Sequence, residues 1–110
     1  MSYAAHAPER KDIDALTGPT VLDFGTDWCG YCQGAAPLIG AAFARHPGVP
    51  HLKVEDGKGR LLGRSFRVKL WPTLIFLRDG VEVARAVRPT NAADLDAAFA
   101  ALNQAAQPLP

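Results

Sequence analysis

The segment that decides the fold is TVLDFGTDWCGYC, residues 20–32. Its first part, residues 20–24, is a nearly continuous apolar run, which is typical of a strand buried on both faces of a sheet. A helical pattern follows, so Cys29 and Cys32 stand where a strand ends and a helix begins. The first N–H groups of a helix have no partner within the helix, and with the helix dipole they favour a negative charge. The segment therefore places Cys29 where a thiolate is stabilised.

Cys29 and Cys32 are the only two cysteines in the chain, and their spacing allows them to close a disulfide. Cys29 is the predicted nucleophile, and Cys32, one turn deeper in the helix, is the predicted resolving thiol. A purely structural disulfide is one alternative, although so short a loop gains little stability from closure. A zinc site is another, but it needs about four ligands, and His46 and His51 add no second pair at the usual spacing. The sequence favours redox chemistry and no metal site.

The composition is that of an ordinary globular domain. Of the 110 residues, 48% are hydrophobic and 21% are charged, and the formal net charge is +1, which argues against disorder and against binding to nucleic acid. No apolar stretch has the length of a signal peptide or of the roughly 20-residue span that crosses a membrane. We expect a monomeric, cytoplasmic single domain over residues 1–110, with no membrane partner. Residues 1–7 are predicted to be an N-terminal extension and residues 104–110 a frayed tail.

Hydrophobic periodicity and turn signals predict alternating helices and strands. The predicted elements are a helix at 9–16, a strand at 20–24, a helix from the cysteines to about 45, a strand at 51–55, a loop with a short helix at 56–67, strands at 73–77 and 81–87 joined by a turn at 79–80, and a final helix capped by Asn91. Val81, Val83 and Val87 are expected to share one face of the last strand. This order predicts an α/β fold with a central mixed sheet and helices on both faces.

Asp23 lies inside the apolar strand, six residues before Cys29. A charged carboxylate at such a position costs free energy unless it has a partner or a task. The simpler interpretation is an aspartate that reaches solvent at the end of the strand. The direction of the strand, however, brings Asp23 under the cysteine pair, where it could exchange a proton with Cys32. We favour this second interpretation, because titratable groups placed in this way cluster at functional sites.

The motifs together resemble the thioredoxin family across nearly the whole chain. They are DFGTDWCGYC at 23–32, the proline at 37, WPT at 71–73 and DG at 79–80. The resemblance implies a thioredoxin fold in which Cys29 attacks, Cys32 resolves and Asp23 is the buried carboxylate. It also implies that Trp28 packs beside the site, and that Pro72 follows a cis peptide bond and faces the cysteines.

The resemblance further implies that the backbone of Trp71 pairs with an extended substrate segment as a short added strand. The residues predicted to support substrate binding are Trp28, Gly30, Tyr31, Trp71, Pro72 and Thr73. Two of them have simpler explanations. Pro72 alone is also typical of the start of a strand, and Trp71 could merely fill the core.

Several departures from the family pattern predict a narrower or different set of partners. Gly30-Tyr31 stands where the reducing members carry Gly-Pro, and a tyrosine here resembles the glutaredoxins. Trp71 replaces a small aliphatic residue, and Arg88-Pro89 replaces a glycine that keeps the docking surface flat. Gly25 lacks the usual aromatic side chain.

The sequence therefore predicts a thiol–disulfide oxidoreductase that acts on protein disulfides. It would need no cofactor beyond its redox-active disulfide, and a reductase or glutathione would supply its electrons. A disulfide isomerase, a glutathione-linked reductase and a non-catalytic partner-binding module are the alternatives. A basic cluster could bind an acidic partner, although a solvated face is the commoner role of such residues. Its members are Lys53, Lys58, Arg60, Arg64, Arg67 and Lys69.

Overall fold

A computed structural model describes residues 2–105 of the chain. In chain order its elements are α1 (Arg10–Asp14), β1 (Pro19–Gly25), α2 (Gly30–Ala44), β2 (His51–Glu55), α3 (Leu61–Ser65), β3 (Thr73–Arg78), β4 (Val81–Val87) and α4 (Ala92–Ala105). The strands form one sheet in the order β2-β1-β3-β4. Strands β1 and β2 are parallel, whereas β3 is antiparallel to both β1 and β4. The predicted mixed sheet is confirmed. Within the described residues, no helix is long and apolar enough to cross a membrane.

Each face of the sheet has its own hydrophobic core, because successive residues of a strand point to opposite faces. Helices α2 and α4 cover one face, where they pack on Val21, Leu74 and Phe76. Helices α1 and α3 cover the other face, whose buried strand residues are Leu22, Phe24, Val54, Ile75 and Leu77. Strands β1 and β3 are therefore buried on both sides, as the apolar run before the cysteines predicts.

The closing helix α4 confirms the predicted cap and core face. The N–H of Asp94 donates a hydrogen bond of 3.0 Å to the side-chain oxygen of Asn91, which satisfies one of the free donors at the helix start. The three predicted core residues, Leu95, Phe99 and Leu102, are fully buried. Because α4 continues to Ala105, the first two residues of the predicted tail are helical, and residues 106–110 lie outside the described part of the chain.

The valine face predicted for β4 is wrong. Phe76 pairs with Ala84 but Leu77 pairs with Glu82, so Val83 is an extra residue in the strand. Such a bulge interrupts the alternation of faces, and a period-two sequence pattern gives no sign of it. As a result, Val81 is 64% exposed, whereas Ala86 is buried.

The predicted N-terminal extension is attached to the opposite edge of the sheet. The N–H of Ala4 donates to the carbonyl of Lys53 (2.9 Å), and the carbonyl of Ala4 accepts from the N–H of Glu55 (3.0 Å). These two bonds form a parallel bridge between Ala4 and Val54 of β2. The bridge brings the side chain of Tyr3 against β1, below the cysteines.

Candidate active site

Cys29 is the N-cap of α2, with an extended backbone (φ −77°, ψ 122°). Its carbonyl accepts the first hydrogen bond of the helix, from the N–H of Gln33 (3.0 Å). Cys29 is 8% exposed and Cys32 is 4% exposed, and both are free thiols. The predicted corner between strand and helix is therefore confirmed: Cys29 caps the N-terminus of α2, and Cys32 lies within the first turn of that helix.

The surroundings of Cys29 favour its thiolate. Burial opposes ionisation, but the N–H and the thiol of Cys32, the N–H of Tyr31 and the positive charge of Arg88 together outweigh it. The pKa of Cys29 consequently lies below its ordinary value. A thiolate is the reactive form of cysteine, so this is the sulfur equipped to attack a disulfide.

The surroundings of Cys32 favour the neutral thiol. Burial is the largest influence and raises its pKa, and the hydrogen bond and negative charge of Cys29 act in the same direction. The backbone of Thr26 and the side chain of Tyr3 act in the opposite direction without cancelling this rise in the pKa of Cys32. Two thiols three residues apart thus have opposite acidities, and Cys32 must lose a proton before it can act as a nucleophile.

Asp23 is 1% exposed, which rules out the interpretation of a strand-end aspartate in solvent. Its Oδ1 accepts a hydrogen bond of 2.9 Å from the hydroxyl of Tyr3. Its Oδ2 lies 2.8 Å from Nε2 of His51. The buried carboxylate is therefore held on both oxygens, by side chains from the N-terminal segment and from β2.

Sequence reasoning missed both partners of Asp23. Tyr3 lies in a segment predicted to be a mere extension, and His51 shows no ligand pattern in the sequence. A signal for His51 exists in the parallel pairing of β1 with β2, where Val21 is opposite His51. Since Val21 and Asp23 are two residues apart, they share a face, and this register places His51 near Asp23.

The glycine at position 25 leaves the space that Tyr3 fills. A Cβ atom added there would lie 2.5 Å from Sγ of Cys32 and 2.8 Å from the ring and hydroxyl of Tyr3. These separations are much shorter than ordinary contacts. The aromatic side chain that the family pattern has at position 25 is thus replaced in space by Tyr3.

Trp28 and Trp71 form an aromatic pair on the outer side of the site. Trp28 is 73% exposed and meets the Trp71 ring edge to face, with a distance of 5.8 Å between centroids. The indole N–H of Trp71 donates to Oδ2 of Asp56 (2.8 Å). Trp71 is only partly buried, so it does not merely fill the core. Its role as a substrate contact stays a prediction.

Arg88 lies in the predicted substrate groove, where it contacts both Tyr31 and Trp71. Its backbone has φ 46°, and its guanidinium carbon lies 3.8 Å from the centre of the Tyr31 ring. Its Nε donates a hydrogen bond of 2.8 Å to the carbonyl of Trp71. That carbonyl therefore already accepts one hydrogen bond within the chain, and the pairing of the Trp71 backbone with a substrate segment stays a prediction. A groove of about 850 Å³ runs beside Arg88 between Tyr31 and Thr90.

The remaining predicted residues hold the site in place. The Trp71-Pro72 peptide bond is cis, as the resemblance implies. Thr73 is buried, and its hydroxyl donates to the carbonyl of Leu70 (2.6 Å), so it supports the loop. Gly30 opens helix α2. Among residues 2–105, no group of three or more His, Cys, Asp or Glu side chains is arranged to hold a metal ion.

Comparison with known proteins gives consistent results. The sequence model of the family described as Thioredoxin matches residues 6–101. A thioredoxin of Aspergillus fumigatus is 31% identical over 84 residues, which are 74% of this chain and 78% of that protein. A thioredoxin H-type 1 of Nicotiana tabacum is 36% identical over 67 residues, 61% of this chain. The chain spans only 53% of that tobacco protein, about half its length.

Among solved structures, this fold is similar to that of thioredoxin 2 from Pseudomonas aeruginosa in its reduced form. The TM-score is 0.85 and the sequence identity 58%, and the match covers 94% of this chain and 97% of the other. This similarity confirms the predicted fold over nearly the whole chain.

Proposed function

This chain belongs to the thioredoxin family and is a thiol–disulfide oxidoreductase, and we propose that it exchanges its Cys29–Cys32 dithiol with disulfides of protein substrates. The observation that carries the proposal is the opposite acidity of the two thiols. The pKa of Cys29 is lowered and that of Cys32 is raised, although the two side chains share one helical turn. This difference supports attack by Cys29 and resolution by Cys32.

The proposed cycle has two displacements. The Cys29 thiolate attacks one sulfur of the substrate disulfide, the substrate S–S bond breaks, and one substrate thiolate leaves. Cys32 then loses its proton towards Asp23 and attacks Sγ of Cys29. The mixed disulfide breaks, the second substrate thiolate leaves, and the Cys29–Cys32 disulfide forms. Two electrons have then passed from the dithiol to the substrate.

The oxidised protein must be reduced again to complete the cycle. We propose that a reductase or glutathione returns the two electrons by the same exchange chemistry, so that the cysteine pair itself is the redox group and no further cofactor takes part. We further propose that the protein works as a monomer in the cytoplasm, where such pools keep thiols reduced.

The outer side of the site supports a restricted choice of substrate. An incoming peptide would meet the exposed rings of Trp28 and Tyr31, and at the Trp71 carbonyl it would share the acceptor with Arg88. A glutathione-linked reaction is the second candidate function. It is favoured by Arg88, whose positive charge acts on Cys29 and would attract the carboxylates of glutathione.

Trapping of the mixed disulfide tests the proposal. With Cys32→Ser, the intermediate on Cys29 cannot be resolved, so a protein disulfide substrate such as insulin should give a covalent adduct that dithiothreitol releases. Cys29→Ser is the matched control and should give none. Mass spectrometry of the adduct identifies the linked cysteine. If Cys32→Ser traps nothing and Cys29 is alkylated no faster than free cysteine, the chain is better explained as a partner-binding module.

A further inference from the structure

Tyr3 is fixed in place by three separate contacts. Its own N–H donates to Oδ1 of Asp27 (3.0 Å), and the next residue, Ala4, is bridged to β2. The ammonium of Lys53 lies 4.4 Å from the centre of the Tyr3 ring, within the range of a cation–π interaction. A side chain so held places its hydroxyl at one defined point, the space below Gly25.

At that point the hydroxyl lies beside two groups of the proposed reaction. It donates to Oδ1 of Asp23 at 2.9 Å. It also lies near Cys32, because a Cβ atom added at Gly25 would be 2.5 Å from Sγ of Cys32 and 2.8 Å from the hydroxyl of Tyr3. Burial, and after it the charges of Asp23 and Cys32, raise the pKa of Tyr3, so the phenol keeps its proton at neutral pH. A neutral phenol can donate one hydrogen bond and accept another at the same time.

A small cavity joins the acid and the thiol. A cavity of about 220 Å³ is lined by Tyr3, Asp23, Cys32, His51 and Lys53, among others. Oδ2 of Asp23 faces His51, whose ring is stacked on Phe43 with 4.0 Å between centroids. Tyr3 therefore lies next to both the acid and the thiol, whereas His51 contacts the other oxygen of the acid.

We propose that Tyr3 relays the proton of Cys32 to Asp23 in the resolving step. The phenol oxygen takes the proton from the Cys32 thiol while the phenol proton passes to Oδ1 of Asp23, so Tyr3 ends the transfer neutral. The Cys32 thiolate then attacks Sγ of Cys29 and releases the substrate thiolate. This inference rests on the proposed function, since it names the group that connects two residues of that cycle.

The test follows the two displacements separately in one reaction. Reduced protein is mixed with one equivalent of the chromogenic disulfide 5,5′-dithiobis(2-nitrobenzoate), and the coloured thiolate is recorded by stopped flow between about pH 6 and 9. The first release reports the attack by Cys29 and the second reports the attack by Cys32. Tyr3→Phe removes only the hydroxyl and keeps the ring that fills the space beside Gly25.

We expect Tyr3→Phe to slow the second release by about tenfold to a hundredfold at neutral pH, in the range of positioned acid–base groups. The first release should stay within about twofold of the wild type. The deficit should shrink as the pH rises, because Cys32 then ionises without help. A merely structural role would slow the second release equally at every pH.

Two other results would overturn the relay. One is a second release in Tyr3→Phe that matches the wild type at all pH values, and the other is a deficit that does not depend on pH. Failure of the proposed function has a different signature, because the wild type itself would then release no thiolate or only one. Thermal unfolding of Tyr3→Phe shows whether the fold is retained.

Discussion

The two sides of the cysteine pair are built differently. We use "rim" for Trp28, Tyr31, Trp71 and Arg88, and "underside" for Tyr3, Asp23, Gly25 and His51. The rim consists of partly or largely exposed side chains around Cys29, and its contacts are ring packing and a hydrogen bond to a carbonyl. The underside is a partly to fully buried polar cluster in which both carboxylate oxygens of Asp23 have partners.

This difference explains why two cysteine thiols in the same helical turn have pKa values shifted in opposite directions. On the rim, hydrogen bonds and the charge of Arg88 reach Cys29 and lower its pKa despite burial. On the underside, burial dominates and raises the pKa of Cys32. Exposed side chains can adjust to an incoming peptide, whereas a buried polar network is costly to disturb. The underside should therefore be the less tolerant of substitution.

The largest effect should be a loss of stability caused by Gly25→Ala, which disturbs the packing of the underside. The added methyl group would lie 2.5 Å from Sγ of Cys32 and 2.8 Å from Tyr3, so one of them must move. Overpacking of this kind costs about 1–3 kcal/mol. We expect urea denaturation to show this loss in the free energy of unfolding, with the mutant folded in native buffer.

Gly34→Ala in α2 is the matched control. No atom lies within 4 Å of a Cβ added at position 34, and alanine is favoured over glycine inside a helix by about 0.5–1 kcal/mol. The control should therefore be slightly more stable than the wild type. Equal destabilisation of both variants would contradict the close packing that we describe between Gly25, Cys32 and Tyr3.

The second-largest effect should be the difference in alkylation rate between Cys29 and Cys32 in the wild-type protein. Because the pKa of Cys29 is lowered, its thiolate persists as the pH falls, while the raised pKa keeps Cys32 protonated until the solution is alkaline. At pH 7 we expect iodoacetamide to label Cys29 at least about tenfold faster than Cys32. Peptide mapping by mass spectrometry measures both rates in one sample. Equal rates would remove the distinction on which the cycle depends.

The helices and strands that position the site are well predicted from the sequence, because the signals that mark them lie within short segments. The apolar run at 20–24 and the helix signals after Cys32 act over short distances, so strand, corner and helix can be placed together. The final helix was predictable for the same reason, since Asn91 and the i, i+4, i+7 spacing of its core residues lie within one segment.

The underside was not predictable, because its contacts join distant segments. The hydroxyl of Tyr3 meets Asp23 twenty positions away, and His51 meets it from twenty-eight positions away. No local pattern marks a tyrosine near the N-terminus as part of a site. Likewise, the bulge at Val83 depends on the register between two strands, and the bond from Arg88 to the Trp71 carbonyl depends on loops meeting in space.

The smallest effect should come from the rim, through Arg88→Gln. The charge of Arg88 contributes less to the acidity of Cys29 than the hydrogen bonds from Cys32 and Tyr31 do. Its loss should therefore move the pH midpoint of Cys29 alkylation upward and slow the reaction only about twofold to threefold at neutral pH. Above the midpoint the two rates should converge, because the thiol is ionised in both proteins.

Two further measurements separate charge from packing at Arg88. Raising the salt concentration of the wild type should reproduce part of the effect, since it screens a charge at a partly exposed position. Arg45→Gln removes an equal charge from the end of α2, where Arg45 is paired with Asp96, and it should leave the alkylation midpoint unchanged. If both variants shifted the midpoint alike, the acidity of Cys29 would follow net charge and not the rim. A shift confined to Arg88→Gln would show that the rim sets the acidity of Cys29 locally, through the charge nearest to that thiol.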